Sequence, residues 1–313
     1  MTEARIIADL LRQFGTKHRQ VELGIGDDAA VLQVGTARLV WTVDACVEDV
    51  HFQRSWLTLS ELGARATHAA ASDLAAMGAV PLAMLANLAL PPGFSRAELK
   101  LLAKGQARAA RELGCPVVGG NLTRADTLSI TTTVLGTARK PLRRDGAQVG
   151  DELWLFGKLG VARAGLLSLL RGSRVRSNAL KECVTAWRKP RALLTAGRSL
   201  VGRAHATLDI SDGLSEDAGR LAAASGVKLV VDEPAFLRAL PAALHRVARE
   251  LGETPLDLAL AGGEDYALLA TGPRRKRPKG VAVIGEVRSG RGVVLRSNGR
   301  ERPISQRGFD HFR

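Results

Sequence analysis

Two adjacent carboxylates, Asp27 and Asp28, stand between Gly26 and the apolar run Ala29-Ala30-Val31. At 4 Å and an effective dielectric near 20, such charges repel by about 4 kcal/mol. A fold that gathers them needs a cation, unless each merely closes a turn. The pattern recurs along the chain. Asp44 follows Thr42-Val43, and Asp73 lies in Ser72-Asp73-Leu74-Ala75-Ala76-Met77-Gly78-Ala79. Asp209 and Asp212 share Asp209-Ile210-Ser211-Asp212-Gly213-Leu214, and Gly262-Gly263-Glu264-Asp265-Tyr266 comes later. Acids are the minority here, 31 against 45 lysines and arginines, so abundance does not explain the repetition. It points to carboxylates meeting around magnesium, a hard cation that takes oxygen ligands and works with substrate phosphates.

The 313 residues allow one large or two medium domains. The hydrophobic share, 46%, is enough for a core. No run of eighteen apolar residues occurs, so no membrane span is expected. The start, Met1-Thr2-Glu3-Ala4-Arg5, lacks a signal-peptide layout. Cys46, Cys115 and Cys183 are widely spaced, which suits reduced thiols in a cytoplasm. The net charge of +14 favours anionic partners. The densest basic run, 274–279, sits between prolines and reads as a solvated loop. Aromatic residues make up 4% and do not interleave with it, which argues against nucleic acid.

The periodicity alternates between helix and strand in both halves, so the class is α/β or α+β with two domains. Helices are expected over 3–14, over 59–77 opened by Ser60, and over 95–113 capped by Ser95. His68 is expected to be buried and hydrogen-bonded. Strands are expected over 29–33, 38–44, 82–90 and 127–136, with Asp44 at the end of the second. The glycine pair Gly119-Gly120 reads as a backbone stretch that approaches a ligand. A boundary falls at 146. Beyond it the strands are 151–156, 207–210, 227–231, 266–271, 281–284 and 293–295. Helices are expected near 162–170, across 178–202 with a restart at Pro190, over 214–224 and over 241–251.

Together these motifs resemble the thiamine-monophosphate kinase family, within the aminoimidazole ribonucleotide synthetase-like superfamily. The resemblance runs from about residue 20 to Gly308-Phe309-Asp310-His311-Phe312. It implies transfer of the γ-phosphoryl group of ATP to thiamine monophosphate. It also implies an N-terminal α/β domain (1–146) that binds ATP and magnesium and forms a homodimer, with a C-terminal α/β domain (147–313) folded against it. By resemblance, Asp27, Asp28, Thr42, Val43, Asp44, Asp73, Asn121, Asp209 and Asp212 would serve magnesium. Arg144, Gly119, Gly120, Asn121 and Ser211 would contact ATP, with Arg144 and Asp212 catalytic. His51, Glu264 and Phe309 would contact the thiamine phosphate. The chain departs from the family pattern in Asn121 for Asp, Val43 for a hydroxyl residue, Asp49 for Gly, and Ala125-Asp126 after Arg124. Another ATPase of the superfamily, a weakened paralogue that only binds, and a nucleic-acid binder remain as alternatives at this level.

Overall fold

The computed structural model describes residues 3–14 and 18–305. In chain order the first half comprises α1 (Glu3–Phe14), β1 (Val21–Leu23), β2 (Ala30–Val34), β3 (Ala37–Val47), α2 (Leu59–Ala76), β4 (Val80–Leu90), α3 (Arg96–Leu113), β5 (Val117–Arg124) and β6 (Ser129–Thr137). Its six strands form one sheet, ordered β1-β2-β3-β6-β4-β5. The second half comprises β7 (Glu152–Phe156), α4 (Val161–Leu170), α5 (Asn178–Arg188), α6 (Leu194–Leu200), β8 (Ala206–Ile210), α7 (Leu214–Ser225), β9 (Lys228–Asp232), α8 (Glu233–Ala239), α9 (Ala242–Leu251), α10 (Pro255–Leu260), β10 (Ala267–Gly272), β11 (Ala282–Arg288), β12 (Gly292–Ser297) and β13 (Arg300–Pro303). These strands form a second sheet, ordered β13-β12-β9-β11-β7-β10-β8. One buried cluster joins the halves, packing Val40 and Leu74 with Trp154 and Leu268.

Local chemistry explains the helices that frame the site. In α2 the cap is Thr58, not Ser60: its hydroxyl accepts from the Glu61 amide, and Glu61 returns a bond to the Thr58 amide. This reciprocal pair satisfies two amides that the helix leaves open. Ser95 and Glu98 do the same for α3, which stops at Gly114 in the left-handed region. Along α2, small residues replace bulky ones because other backbones come very close. A Cβ on Gly105 would lie 2.0 Å from the Ser60 carbonyl oxygen, and one on Gly197 1.8 Å from that of Ala75.

Two readings of the chain change here. The 3–14 helix forms, but Ile7, Leu10 and Phe14 are exposed, so it covers no core. Strand β3 continues three residues past Asp44, which therefore sits inside a strand. Helices α8 and α10 and strands β1 and β13 are too short, at three to seven residues, to show a period. His68 is buried as expected, its Nε2 3.2 Å from Glu112 Oε2 and its Nδ1 accepting from the Ala192 amide.

The close helix crossing yields a test. Alanine favours a helix over glycine by about 1 kcal/mol. At Gly105 the added methyl meets fixed backbone, and overpacking costs about 1–3 kcal/mol. Gly105→Ala is expected to lower stability in urea denaturation, against the propensity trend.

Candidate active site

Strand β3 alternates its side chains between two faces. Val40, Thr42 and Cys46 are buried against the helices on the inner face, which Asp44 shares, while Trp41 and Val43 are exposed on the outer face. Helix α2 brings Asp73 to the inner face, and β8, at the edge of the second sheet, brings Asp209. One carboxylate oxygen each from Asp28, Asp73 and Asp209 lies within 4.8 Å of the others. The two halves therefore build this cluster jointly.

Its neighbours fix the geometry. The Thr42 hydroxyl donates to Asp73 Oδ2. Arg144 donates to Asp28 Oδ1. Asp28 Oδ2 is buried and receives no donor. Burial pushes the Asp28 carboxyl up to about 6, against the opposing pull of Arg144. Burial, then Asp209 and Asp28, raises Asp73 well above the usual carboxylate range. Burial raises Asp209 as well. Three crowded, desolvated acids with an unsatisfied oxygen make an oxygen-only donor set, and this fits magnesium.

The cluster opens into a cleft of about 760 Å³. Asp44, His51, Asp73, Asp209, Ser211, Asp212 and Glu264 line it together. The other expected site residues lie elsewhere or act differently. Both Asp27 oxygens are taken by amides, that of Asp28 at 2.9 Å and that of Arg144 at 3.1 Å. Arg144 holds Asp28 and lies 3.7 Å from Asp27, so its guanidinium is already engaged with carboxylates. Val43 also lines the cleft, but it is 61% exposed and its side chain takes the outer face, leaving only its carbonyl as a ligand atom.

Gly119, Gly120 and Asn121 belong to the edge strand β5. A Cβ on Gly120 would meet the Ala86 carbonyl oxygen at 1.8 Å, so this glycine serves strand pairing. Asn121 pairs across the sheet with Asn87, Thr131 and Ala45, one residue out of step with the row of Asp44. It therefore faces the outer side, where its amide donates to Asn87 Oδ1 at 3.2 Å. The missing charge at Asn121 thus stands on the opposite face from the carboxylates. Phe309 lies outside the described residues.

In and around the cleft stand residues that the chain alone did not single out. Glu264 receives Arg65 on Oε1 and the Trp187 indole N–H on Oε2, the latter at 2.6 Å. The Arg65 guanidinium stacks 4.3 Å from the centre of the Trp187 ring, and Trp56 meets that ring edge-on at 5.7 Å. Arg65 could have been found: Arg65, Ala69 and Asp73 follow one stripe of α2, four residues apart, and all three line the cleft. Trp187 lies 77 residues from Glu264 and offered nothing local. Arg220 donates to Asp212 at 2.6 Å and to Asp217 at 2.9 Å. Asp217 also accepts the Asp212 and Gly213 amides that open α7. Asp265 accepts from Gly160 and Ala162 at the start of α4, and burial pushes its carboxyl up to about 7. Asp49, Glu264 and Tyr266 hold the left-handed conformation that non-glycine residues avoid. For Asp49 this explains why glycine is the usual residue there, and why a short polar side chain replaces it.

Two outcomes follow. Trp187→Phe keeps the ring under Arg65 but removes a donor from the Glu264 carboxylate. It is expected to cost about 1.5–3 kcal/mol in chemical denaturation. Asp28 has a folded-state value above its unfolded one, so the native metal-free protein holds that proton up to about pH 6. Magnesium binds the ionised form and must displace the proton below that pH. Magnesium should therefore raise the melting temperature by more at pH 7.5 than at pH 5, as scanning fluorimetry would record.

Comparison with known proteins shows the family. The family model for the AIR synthase related protein N-terminal domain matches residues 26–138, and that for the C-terminal domain matches residues 148–298. A thiamine-monophosphate kinase of Aquifex aeolicus is 32% identical over 92% of this chain and 92% of its own length. One from Mycobacterium tuberculosis is 34% identical over 88% of this chain and 82% of its own. The solved structure of AaThiL complexed with AMPPCP and TMP superposes with a TM-score of 0.91 and 31% identity, covering 99% of this chain and 97% of that one. The chain belongs to the thiamine-monophosphate kinase family, built from the two AIR synthase related domains.

Proposed function

We propose that this chain is an ATP-dependent kinase that phosphorylates thiamine monophosphate to thiamine diphosphate. The observation that carries this reading is the convergence of Asp28, Asp73 and Asp209 at a cleft that Phe52, Trp56, Leu166 and Leu170 also line. Kinship to named thiamine-monophosphate kinases supplies the substrate pair. The fold alone does not, because one fold hosts several chemistries.

Phosphoryl transfer asks a protein mainly to position two phosphates and to spread charge. Asp28, Asp73 and Asp209 would hold magnesium, with Asp44 and Asp212 close by along the cleft wall. When bound, magnesium offsets the charge of donor and acceptor phosphates. The chain's own residues do the rest. Thr42 orients Asp73, Arg144 orients Asp28, and Arg220 restrains Asp212. Ser211 presents a hydroxyl beside Asp212 for the nucleotide. His51 and the Glu264 loop border the acceptor. No general base is needed, since a phosphate monoester is already largely ionised at neutral pH. Direct in-line transfer then completes the reaction without a phosphoenzyme.

The finer assignments belong to the same proposal. Residues 1–146 would carry the nucleotide, magnesium and dimer contacts, and residues 147–313 would close the acceptor side. The dimer reading is supported by the outer face of the first sheet. Trp41, Val43 and Leu85 are exposed there, beside the unpaired edge strand β5. A patch of this kind is suited to a second copy of the chain. A cytoplasmic setting is supported by Cys46, Cys115 and Cys183, which are free and buried. Among the described residues no helix is long and apolar enough to cross a membrane.

Purified protein with ATP, magnesium and thiamine monophosphate is expected to release ADP in an acceptor-dependent way. Asp73→Asn should lower kcat by at least 100-fold while the protein stays folded. Acceptor-independent turnover, or full activity in the variant, would refute the reading.

A further inference from the structure

Three guanidinium groups line the cleft, and two of them are already held. Arg65 donates to Glu264 and to the Trp187 carbonyl, and Arg220 to Asp212 and Asp217. The third is Arg163, in the first turn of α4. Among the described residues it forms no hydrogen bond and no ion pair, although it is half-buried. A cation partly removed from water without a counter-charge is unfavourable unless an anion arrives.

Its stem is fixed in place. A Cβ on Gly262 would lie 2.6 Å from Arg163 Cβ and 3.1 Å from its Cγ, so only glycine makes room there. Gly213 in turn closes on the Gly262 carbonyl oxygen, where a Cβ would stand 2.9 Å away. A short path of backbone contact thus runs from Arg163 to the turn that carries Ser211 and Asp212. Leu166 and Leu170 lie one and two turns further along α4 and also line the cleft. The helix therefore presents a cation beside the Asp212 turn, then an apolar strip.

We propose that Arg163 binds the phosphate of the acceptor, with Leu166 and Leu170 lying against its ring system. This rests on the acceptor reading given above. A guanidinium can grip two phosphate oxygens at once, and the order of cation then leucines matches a molecule with phosphate at one end and flat rings, whose faces can lie on leucine side chains, at the other.

The experiment compares thiamine monophosphate with thiamine, which lacks the phosphate. Binding of each is read by tryptophan fluorescence without ATP, and KM and kcat are measured beside it. Arg163→Gln is expected to weaken thiamine monophosphate at least tenfold, leaving thiamine binding and the KM for ATP within twofold. Arg163→Lys should fall between the variant and the wild type, and it carries the same test if the glutamine variant does not fold. Equal losses for both ligands would mean a structural role and overturn the proposal, as would unchanged affinity for thiamine monophosphate. Wild-type protein that fails to phosphorylate thiamine monophosphate would overturn the kinase reading instead, and the paired binding measurements would still decide the role of Arg163.

Discussion

Three carboxylates held within 4.8 Å, two of them buried, form an arrangement that the protein's own bonds do not fully compensate. Arg144 relieves Asp28 and Thr42 relieves Asp73, yet Asp28 Oδ2 stays without a donor. Repulsion between desolvated charges pushes the fold apart unless the surrounding packing holds it. The rest of the structure is arranged to supply that packing. Asp28 and Asp73 come from the first half and Asp209 from the second, so the site exists only while the halves stay pressed together. The tightest points of that joint are backbone against backbone. Gly197 meets the Ala75 carbonyl two residues from Asp73, and a Cβ on Gly146 would lie 2.0 Å from the His205 carbonyl oxygen.

A second ionic system at the cleft follows the opposite logic. The Glu264 carboxylate is matched by Arg65 and by the Trp187 indole, so charge and hydrogen-bond capacity close within the protein. Arg65 lies on α2, while Trp187 and Glu264 lie in the second half, so this pair also joins the halves. Removing one partner leaves an uncompensated group, which is why such a pair is rigid. Its rigidity sustains the left-handed backbone at Glu264 and Tyr266, a conformation that costs about 1–3 kcal/mol per residue. The aspartate end is thus held under repulsion, ready for a cation, whereas the Glu264 end is already neutral. A cationic ring placed there meets aromatic edges and a closed ion pair. Glu264 is thus a paired, fixed element of the wall.

Much of this was legible in the residues because the relevant signals are local. Ser95 capping α3, the β-branched alternation of β6 and the acid beside glycine at Gly26-Asp27-Asp28 each act within a few positions. What was not legible depends on distant pairing. Asn121 looked like a ligand because its motif is short and contiguous. Strand register decides which face it takes, and register is set by partners far along the chain. Gly120 was read as backbone that approaches a ligand, and the structure packs it under the Ala86 carbonyl of the neighbouring strand. Arg65 and Trp187 were missed because α2 and α5 are adjacent only in space, although the four-residue stripe of Arg65, Ala69 and Asp73 was visible in principle.

The charge of the whole chain and the charge of the site have opposite signs, and the two act over different distances. The net +14 spreads over surface groups, many of them paired, such as Arg277 with Glu152 and Arg288 with Glu301. A field of that sign raises the local concentration of nucleotides and phosphate esters around the molecule. At physiological salt it fades within about 8 Å of exposed charges. Inside the cleft the nearer charges dominate, and at its head these are acids. A bare polyphosphate would be repelled there. A polyphosphate carrying magnesium brings the cation that the aspartates lack, and the repulsion becomes coordination. Long-range attraction therefore gathers anions without choosing among them, and the buried carboxylates admit those that arrive with a divalent metal. Separating the two requires what this sequence provides: basic residues in excess on the outside, and scarce acids placed where two sheets and one alanine-rich helix converge.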